Sequence, residues 1–374
     1  MRQRRIVMIY VEPTPYIRGF IEACRKLWGG EIKVYYITTD FSQSWLLDLG
    51  PYESVLPRAR LLAARTIWCA LAPSLTAPIL HLAGWGHPLL FSSIVLAWLR
   101  DVPIVVESDS WRGNKDVGLR EQVKSIVYSR LFQLPSHFLP GGSRQARYLN
   151  TFRVPECRIT VAQMTVDVAH LMRYADQVGQ HKRGSLRAEL GLFRDDIVYL
   201  YVGRLEPHKG VSDLLAAFEA LSRTHSKARL LVVGDGTLLS RVREAADRNA
   251  AITCTGRLTG ELLWDAYVTS DVFVLPSLFE PWGLVVNEAQ AFGLPVIVSN
   301  TAGCVDDLVP NGEEGITFPA GDTEALTRAL VEFAESPDRR RFSSNAALKR
   351  ISKWTLQAEA LRVVDVWLKV SPGG

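Results

Sequence analysis

Two doubly wound α/β domains are the fold this sequence predicts, and three observations carry the prediction. The chain begins βαβ, with an apolar run at 6–11, a helix at 17–28 and a second apolar run at 32–38. Short apolar runs of this kind recur with helix-length segments between them in two series, one up to residue 140 and one from residue 197. The 374 residues are 48% hydrophobic and 22% charged, a globular composition with room for two cores.

Composition narrows the class further. Cys24, Cys69, Cys157, Cys254 and Cys304 are scattered without metal-ligand spacing, so free thiols in a reducing compartment are expected. Residues 66–99 hold no Asp, Glu, Lys or Arg, but Pro73, Pro78, Gly84, Gly86 and Pro88 interrupt them, and His81 and His87 fall inside. No clean membrane span of about 20 apolar residues survives. The basic residues at 1–5 precede a strand too short for a signal-peptide core, so a cytoplasmic protein is expected. Residues 1–170 carry 20 Lys plus Arg against 13 Asp plus Glu, a net of +7, which leaves −3 for the remainder of a chain with net charge +4. A basic N-terminal half suits an anionic acceptor or an anionic membrane surface; a mixed solvated surface is the plainer reading.

Taken in order, the opening strand leads into the loop Glu12-Pro13-Thr14-Pro15-Tyr16 and the first helix. Trp45-Leu46-Leu47 and the segment 56–72, where Arg58, Arg60 and Arg65 stand beside Leu61, Leu62, Ile67 and Trp68, read either as an amphipathic core helix or as an interfacial one. Residues 79–83 form a strand, 88–98 a helix and 103–106 a further strand, running into Glu107-Ser108-Asp109-Ser110-Trp111. The strand at 137–140 is followed by Gly141-Gly142-Ser143 opening a helix to about residue 150. Residues 170–192, polar and basic without a buried strand, read as a linker. The strand at 197–202 then feeds Gly203-Arg204-Leu205-Glu206-Pro207-His208-Lys209-Gly210. A glycine-bounded loop with two cations between strand and helix is a diphosphate clamp or a solvated cationic turn. Strands at 229–233 and 252–256 follow, and 354–370 is an amphipathic final helix.

The runs at 272–276 and 295–299 are buried parallel strands, so the stretch from Leu278 to Glu288 is a strand-to-helix turn and its helix. That is where an open α/β sheet places its ligand. Pro281 and Gly283 punctuate the turn, Gly293 and Pro295 stop the helix, and the free amides of its first turn suit a phosphate. Glu280 and Glu288 stand roughly 9 to 12 Å apart if the residues between them are mostly helical, too far for a hydrolytic pair. They touch different parts of one elongated ligand: Glu280 at the turn, Glu288 on a diol such as a ribose. Alternatively Glu280 stabilises the helix start and Glu288 is solvated.

Glu280-Pro281-Trp282-Gly283-Leu284-Val285-Val286-Asn287-Glu288 resembles the signature of retaining GT-B glycosyltransferases, especially glycosyltransferase family 4 (glycosyl transferases group 1), with Trp282 where phenylalanine is usual. Gly203-Arg204-Leu205 followed by Lys209-Gly210 resembles the second hallmark of that family. The resemblance implies a GT-B fold: an acceptor domain over 1–170, a linker over 171–192, a nucleotide-sugar domain over 193–350 and a final helix over 351–374 crossing back. It implies that Glu280 binds the donor sugar and Glu288 the ribose, with amides at Trp282, Gly283, Leu284 and Val285 facing sugar and diphosphate. Arg204 and Lys209 would hold the diphosphate, and Gly203, Gly234, Gly236, Arg257 and Leu258 the nucleotide. Asp109 occupies the position of a family histidine that contacts the donor sugar, and is assigned with Arg204, Lys209 and Glu280 to the catalytic residues; Pro15-Tyr16 replaces a glycine pair, and Tyr16 and Trp111 are assigned to the acceptor side. The implied reaction is retaining transfer of a sugar from a nucleotide-diphosphate donor to a saccharide or lipid-linked acceptor in bacterial envelope polysaccharide or glycolipid synthesis. Front-face attack, with the leaving phosphate oxygen taking the proton, is the expected route. Without an Asp-x-Asp motif, no metal and no other cofactor are expected. No nucleic-acid partner is expected, and peripheral attachment to the inner face of the plasma membrane accompanies a lipid acceptor. An epimerase or hydrolase of the same fold, or a non-catalytic sugar-nucleotide-binding subunit of a polysaccharide assembly complex, are the alternatives.

Overall fold

The computed structural model describes residues 5–38, 48–73, 77–111 and 119–371. Trp45-Leu46-Leu47 and the basic residues 1–4 lie outside them. The chain divides into two compact units, one of Met1–Thr165 with Leu356–Gly374 and one of Val166–Thr355.

Unit 1 is built on six parallel strands, β1 (Arg5–Tyr10), β2 (Ile32–Tyr36), β3 (Glu53–Val55), β4 (Pro78–Leu82), β5 (Ile104–Ser108) and β6 (His137–Pro140), in the order β3-β2-β1-β4-β5-β6. All six residues of β1 and all five of β4 are buried, as strands covered on both faces are; apart from Arg5 and His81 they are apolar or aromatic. Helices Pro15–Trp28 and Leu356–Lys369 cover one face, where Trp28 meets Trp367 edge-on at 5.5 Å. Arg60–Ala70, Pro88–Trp98 and Leu119–Leu131 lie on the other. Helix Pro15–Trp28 starts two residues inside the expected loop: Thr14 caps it by accepting from the Ile17 amide, and Pro15 is pre-set for a first helical turn. Strand β3 was invisible to hydrophobic patterning because its buried residue is a glutamate. Glu53 is held there by Arg18 at 3.0 Å and the Tyr36 hydroxyl at 2.7 Å.

Unit 2 repeats the plan with β7 (Ile197–Val202), β8 (Ala228–Val233), β9 (Ile252–Gly256), β10 (Val272–Leu275), β11 (Val296–Ser299) and β12 (Gly315–Phe318), ordered β12-β11-β10-β7-β8-β9 and parallel throughout. The segment read as a linker is instead the helix Val168–Glu189, kinked at Gly179 (φ 59, ψ 174) and belonging to this unit. Val168, Leu171 and Val178 are buried along it, spaced too widely to form an apolar run. Tyr174 donates to Asp265 at 2.7 Å, and Arg183 reaches the Val268 and Ser270 carbonyls and Asp271. A helix docked through an aromatic and an arginine shows no long apolar run, which is why its sequence resembles a spacer. Among the described residues no helix is long and apolar enough to cross a membrane.

Candidate active site

In unit 2, β7 and β10 are neighbours, yet the chain winds from β7 toward β8 and from β10 toward β11, in opposite directions across the sheet. The connections that follow them therefore run to opposite sides of the sheet, and the loops leaving their carboxyl ends stand at the topological switch point, the usual ligand position of this architecture. One loop is 203–210 and the other 276–283. The Leu278 amide donates to the His208 carbonyl at 2.9 Å and joins them. Gly210 has φ +69, and a Cβ there would sit 2.0 Å from the Pro276 carbonyl oxygen, so only glycine lets the loops approach this closely.

This approach brings Lys209 and Glu280 together. Lys209 Nζ lies 2.5 Å from Glu280 Oε2, and only 14% and 12% of the two side chains are exposed. Ser277 Oγ donates to the same oxygen at 3.3 Å. The backbone around Glu280 is clamped from β11's exit: its amide donates to the Thr301 carbonyl at 3.3 Å, and its carbonyl accepts from the Gly303 amide at 3.0 Å. The carboxylate is thus held by backbone, cation and hydroxyl. A preorganised charge pair costs little reorganisation when a charged ligand arrives.

The remaining residues of the Arg204 loop are zipped to the loop after β8. Gly203 and Leu205 donate to the Val233 and Asp235 carbonyls, at 3.1 and 2.8 Å. Gly234 has no room for a Cβ, which would lie 1.9 Å from the Gly203 carbonyl oxygen, and Gly236 stands against the backbone of Leu205. Glu206 takes the Thr237 hydroxyl at 2.8 Å; this bond, with the Thr237 amide and the nearby Arg204, lowers its carboxyl pKa. Arg204 is exposed, while its carbonyl accepts from the Tyr201 hydroxyl at 2.8 Å. Burial raises the Tyr201 phenol, with Glu280 adding to the rise and Arg204 opposing it. Arg257 and Leu258 leave the edge strand β9, two strands from the crossover.

Helix Leu284–Ala291 begins after Gly283, whose φ of 103 turns the chain. The Trp282 indole is a buried plug of this turn. It is 3% exposed, donates from Nε1 to Asn287 Oδ1 at 3.0 Å and stacks on Trp354 at 5.5 Å. The indole nitrogen is therefore satisfied by a partner just over one turn along the chain. Glu288 accepts from the Tyr267 hydroxyl at 2.7 Å. Part of the residue reaches solvent, yet burial of its carboxyl pushes the pKa up to about 7, against the lowering by Tyr267. Sequence patterning missed both Tyr267 and Ser277; neither belongs to a motif, and only the fold delivers them.

In unit 1, Asp109 is exposed just beyond β5, and the Arg144 guanidinium lies over the Trp111 ring at 5.1 Å. Tyr16 is in the first turn of helix Pro15–Trp28. Burial raises its phenol, Thr14 opposes this, and Asp109 adds to the rise, so Tyr16 and Asp109 lie within electrostatic reach. Among the described residues no three His, Cys, Asp or Glu side chains cluster to hold a metal.

Residues 182–350 match the family model described as glycosyl transferases group 1. The glycogen synthase of Mycobacterium tuberculosis is 29% identical over 306 residues, 79% of this chain and 69% of that protein. A D-inositol 3-phosphate glycosyltransferase of Rhodococcus erythropolis is 38% identical over 266 residues, 68% of this chain and 56% of that one. The chain thus spans little more than half the length of the latter. Anabaena HepE, solved in complex with UDP, superimposes with a TM-score of 0.77 at 15% identity, covering 98% of this chain and all of that one. That likeness is one of fold, and the fold is GT-B.

Proposed function

We propose, for a chain whose residues 182–350 belong to the glycosyl transferases group 1 family, that it transfers a sugar from a nucleotide-diphosphate donor to an acceptor hydroxyl with retention at the anomeric carbon. The observation that carries the reading is the Lys209–Glu280 pair at the crossover of unit 2. Lys209 and Arg204 supply positive charge where a leaving diphosphate accumulates negative charge. Glu280 accepts hydrogen bonds from the donor sugar's hydroxyls. Glu288, poised near neutrality by burial, binds the ribose diol. The acceptor oxygen bonds to the anomeric carbon from the face that the phosphate leaves, and the leaving phosphate oxygen takes the acceptor proton. Retention follows without a covalent enzyme intermediate. Arg204, Lys209 and the amides opening helix Leu284–Ala291 do the work that a divalent ion performs elsewhere.

Proton NMR of slow donor turnover in water, using the nucleotide sugar that stabilises the protein, tests this reading. An α-linked donor releases the α sugar first; initial release of the β sugar rejects retention, and no release from any bound donor favours a non-catalytic binder.

A lipid-linked acceptor is the finer reading, and the surface of unit 1 supports it. Leu61 is 87% exposed and Leu62 more than half exposed on helix Arg60–Ala70, where Arg60 and Arg65 are exposed too, and Trp98 and Leu99 are more than half exposed at the end of helix Pro88–Trp98. Apolar side chains rimmed by arginines match an anionic bilayer surface. Cosedimentation with phosphatidylglycerol vesicles at low salt, lost in Leu61→Asp/Leu62→Asp, is expected; wild-type protein left in the supernatant removes the membrane reading.

A further inference from the structure

Side chains alternate along the strands of unit 1, so Tyr10 of β1, His81 of β4 and Glu107 of β5 all point to the face covered by helices Pro15–Trp28 and Leu356–Lys369. They form one hydrogen-bonded chain. Trp367 donates from Nε1 to His81 Nδ1 at 3.0 Å. An indole N–H only donates, so Nδ1 is the unprotonated nitrogen and Nε2 carries the proton. His81 is fully buried, and its Nε2 faces Glu107 Oε1 at 2.8 Å; with the tautomer set by Trp367, it donates. The Tyr10 hydroxyl donates to the same oxygen at 3.1 Å.

Both donors converge on Oε1. The second oxygen, Oε2, has no hydrogen bond among the described residues and is not sealed from solvent; the Glu107 side chain is 25% exposed. It stands at the carboxyl end of β5, two residues before Asp109, and lies within electrostatic reach of Tyr16 at the start of helix Pro15–Trp28. A carboxylate with one oxygen locked by two buried donors and the side chain partly open to solvent is a fixed hydrogen-bond acceptor, although the buried Glu359 carboxyl of helix Leu356–Lys369 also lies within its electrostatic reach. Its side-chain rotamer is chosen before any ligand arrives, which lowers the ordering cost of binding.

We propose that Glu107 is the residue of unit 1 that accepts a hydrogen bond from a hydroxyl of the sugar acceptor through Oε2, held for that role by His81 and Tyr10. This rests on the transferase reading and adds to it a specificity residue that no motif marks. The natural ligand class is a polyhydroxylated saccharide head group, since a hydroxyl both satisfies Oε2 and carries no charge into the site.

Glu107→Gln separates the role from mere structure. The two donors select the amide oxygen for the Oε1 position, so the buried network persists, while an NH2 donor replaces the Oε2 acceptor. Glu107→Ala would orphan His81 and Tyr10, so the glutamine variant is the decisive one. The probes are octyl α- and β-glucoside, octyl α-mannoside and octyl β-galactoside, observed by saturation-transfer NMR in the presence of UDP. The expected result is binding of at least one glycoside to the wild type, about 10- to 100-fold weaker binding to Glu107→Gln, and an unchanged melting temperature. Equal binding to both proteins, or none of the four binding the wild type, overturns the assignment. Calorimetry of UDP keeps the two failures apart. Equal UDP affinity in both proteins is expected, and loss of the Glu107 effect with UDP binding intact sinks this inference alone. A wild type that does not bind UDP or any other nucleoside diphosphate removes the transferase reading and this inference with it.

Discussion

Replacing Lys209 by alanine perturbs the site in two ways that can be measured separately. In the resting protein it removes the cation 2.5 Å from Glu280 Oε2 and leaves a carboxylate that is only 12% exposed with Ser277 as a weaker partner. Unit charges at contact interact by about 4 kcal/mol in the dielectric typical of a protein surface, before desolvation is subtracted. Water still reaches both groups, so the net stability loss should be about 1 to 2 kcal/mol. On the proposed function, the same ammonium would face charge that grows on the leaving diphosphate. Deleting one preorganised stabiliser of developing charge costs about 10² to 10³ in turnover. Urea unfolding reads the first effect, and turnover at saturating donor reads the second. Lys209→Met, which keeps most of the side-chain bulk, should behave the same way. Turnover within about threefold of wild type would refute the diphosphate role, whatever happens to stability.

Other expected outcomes concern the same turn and its supports. Glu288 has its folded pKa raised from the ordinary carboxylate range to about 7, so the folded state holds the proton more tightly than the unfolded one. Its contribution to stability is present at low pH and is lost as pH rises from about 4.5 through 7, by up to about 3 kcal/mol; in Glu288→Gln, melting curves across pH 5 to 8 should lose this component. Trp282→Phe keeps an aromatic plug but leaves Asn287 Oδ1 without the indole donor, so a loss of about 1 to 3 kcal/mol is expected in chemical denaturation, with donor affinity little changed. Gly210→Ala sets a Cβ against the Pro276 carbonyl and should separate the two loops, lowering soluble yield and nucleotide affinity together. Turnover should survive EDTA unchanged, and loss of activity restored by magnesium would reject the metal-independent route.

Much of this architecture was legible in the chain because parallel strands buried on both faces are dominated by apolar residues, as 6–11, 197–202 and 272–276 are throughout and 79–83 is apart from His81. The meeting of Lys209 with Glu280 was half legible. Spacing placed each on a strand-to-helix loop, but which loops become neighbours depends on strand order, which no local pattern encodes. The misread linker and the overlooked β3 have a common cause. Both are held by polar side chains that hydrogen-bond within the fold, the half-buried Arg183 and Tyr174 in one and the buried Glu53 in the other, and hydropathy counts such residues as exposed. Glu107 escaped for the complementary reason: it looked like one acidic residue at a strand end, and its significance comes from His81 and Trp367, the latter 260 positions away in sequence.

The central claim is that the Lys209 and Glu280 loops together bind a nucleotide-diphosphate sugar. A thermal-shift panel of nucleoside diphosphates and nucleotide sugars, run on wild type and Lys209→Ala with and without magnesium, tests it most directly. One donor is expected to stabilise the wild type by about 2.7 kcal/mol at 100 times its dissociation constant, with or without magnesium, and to stabilise the variant less. No response to any nucleotide, or the same response in both proteins, would contradict it.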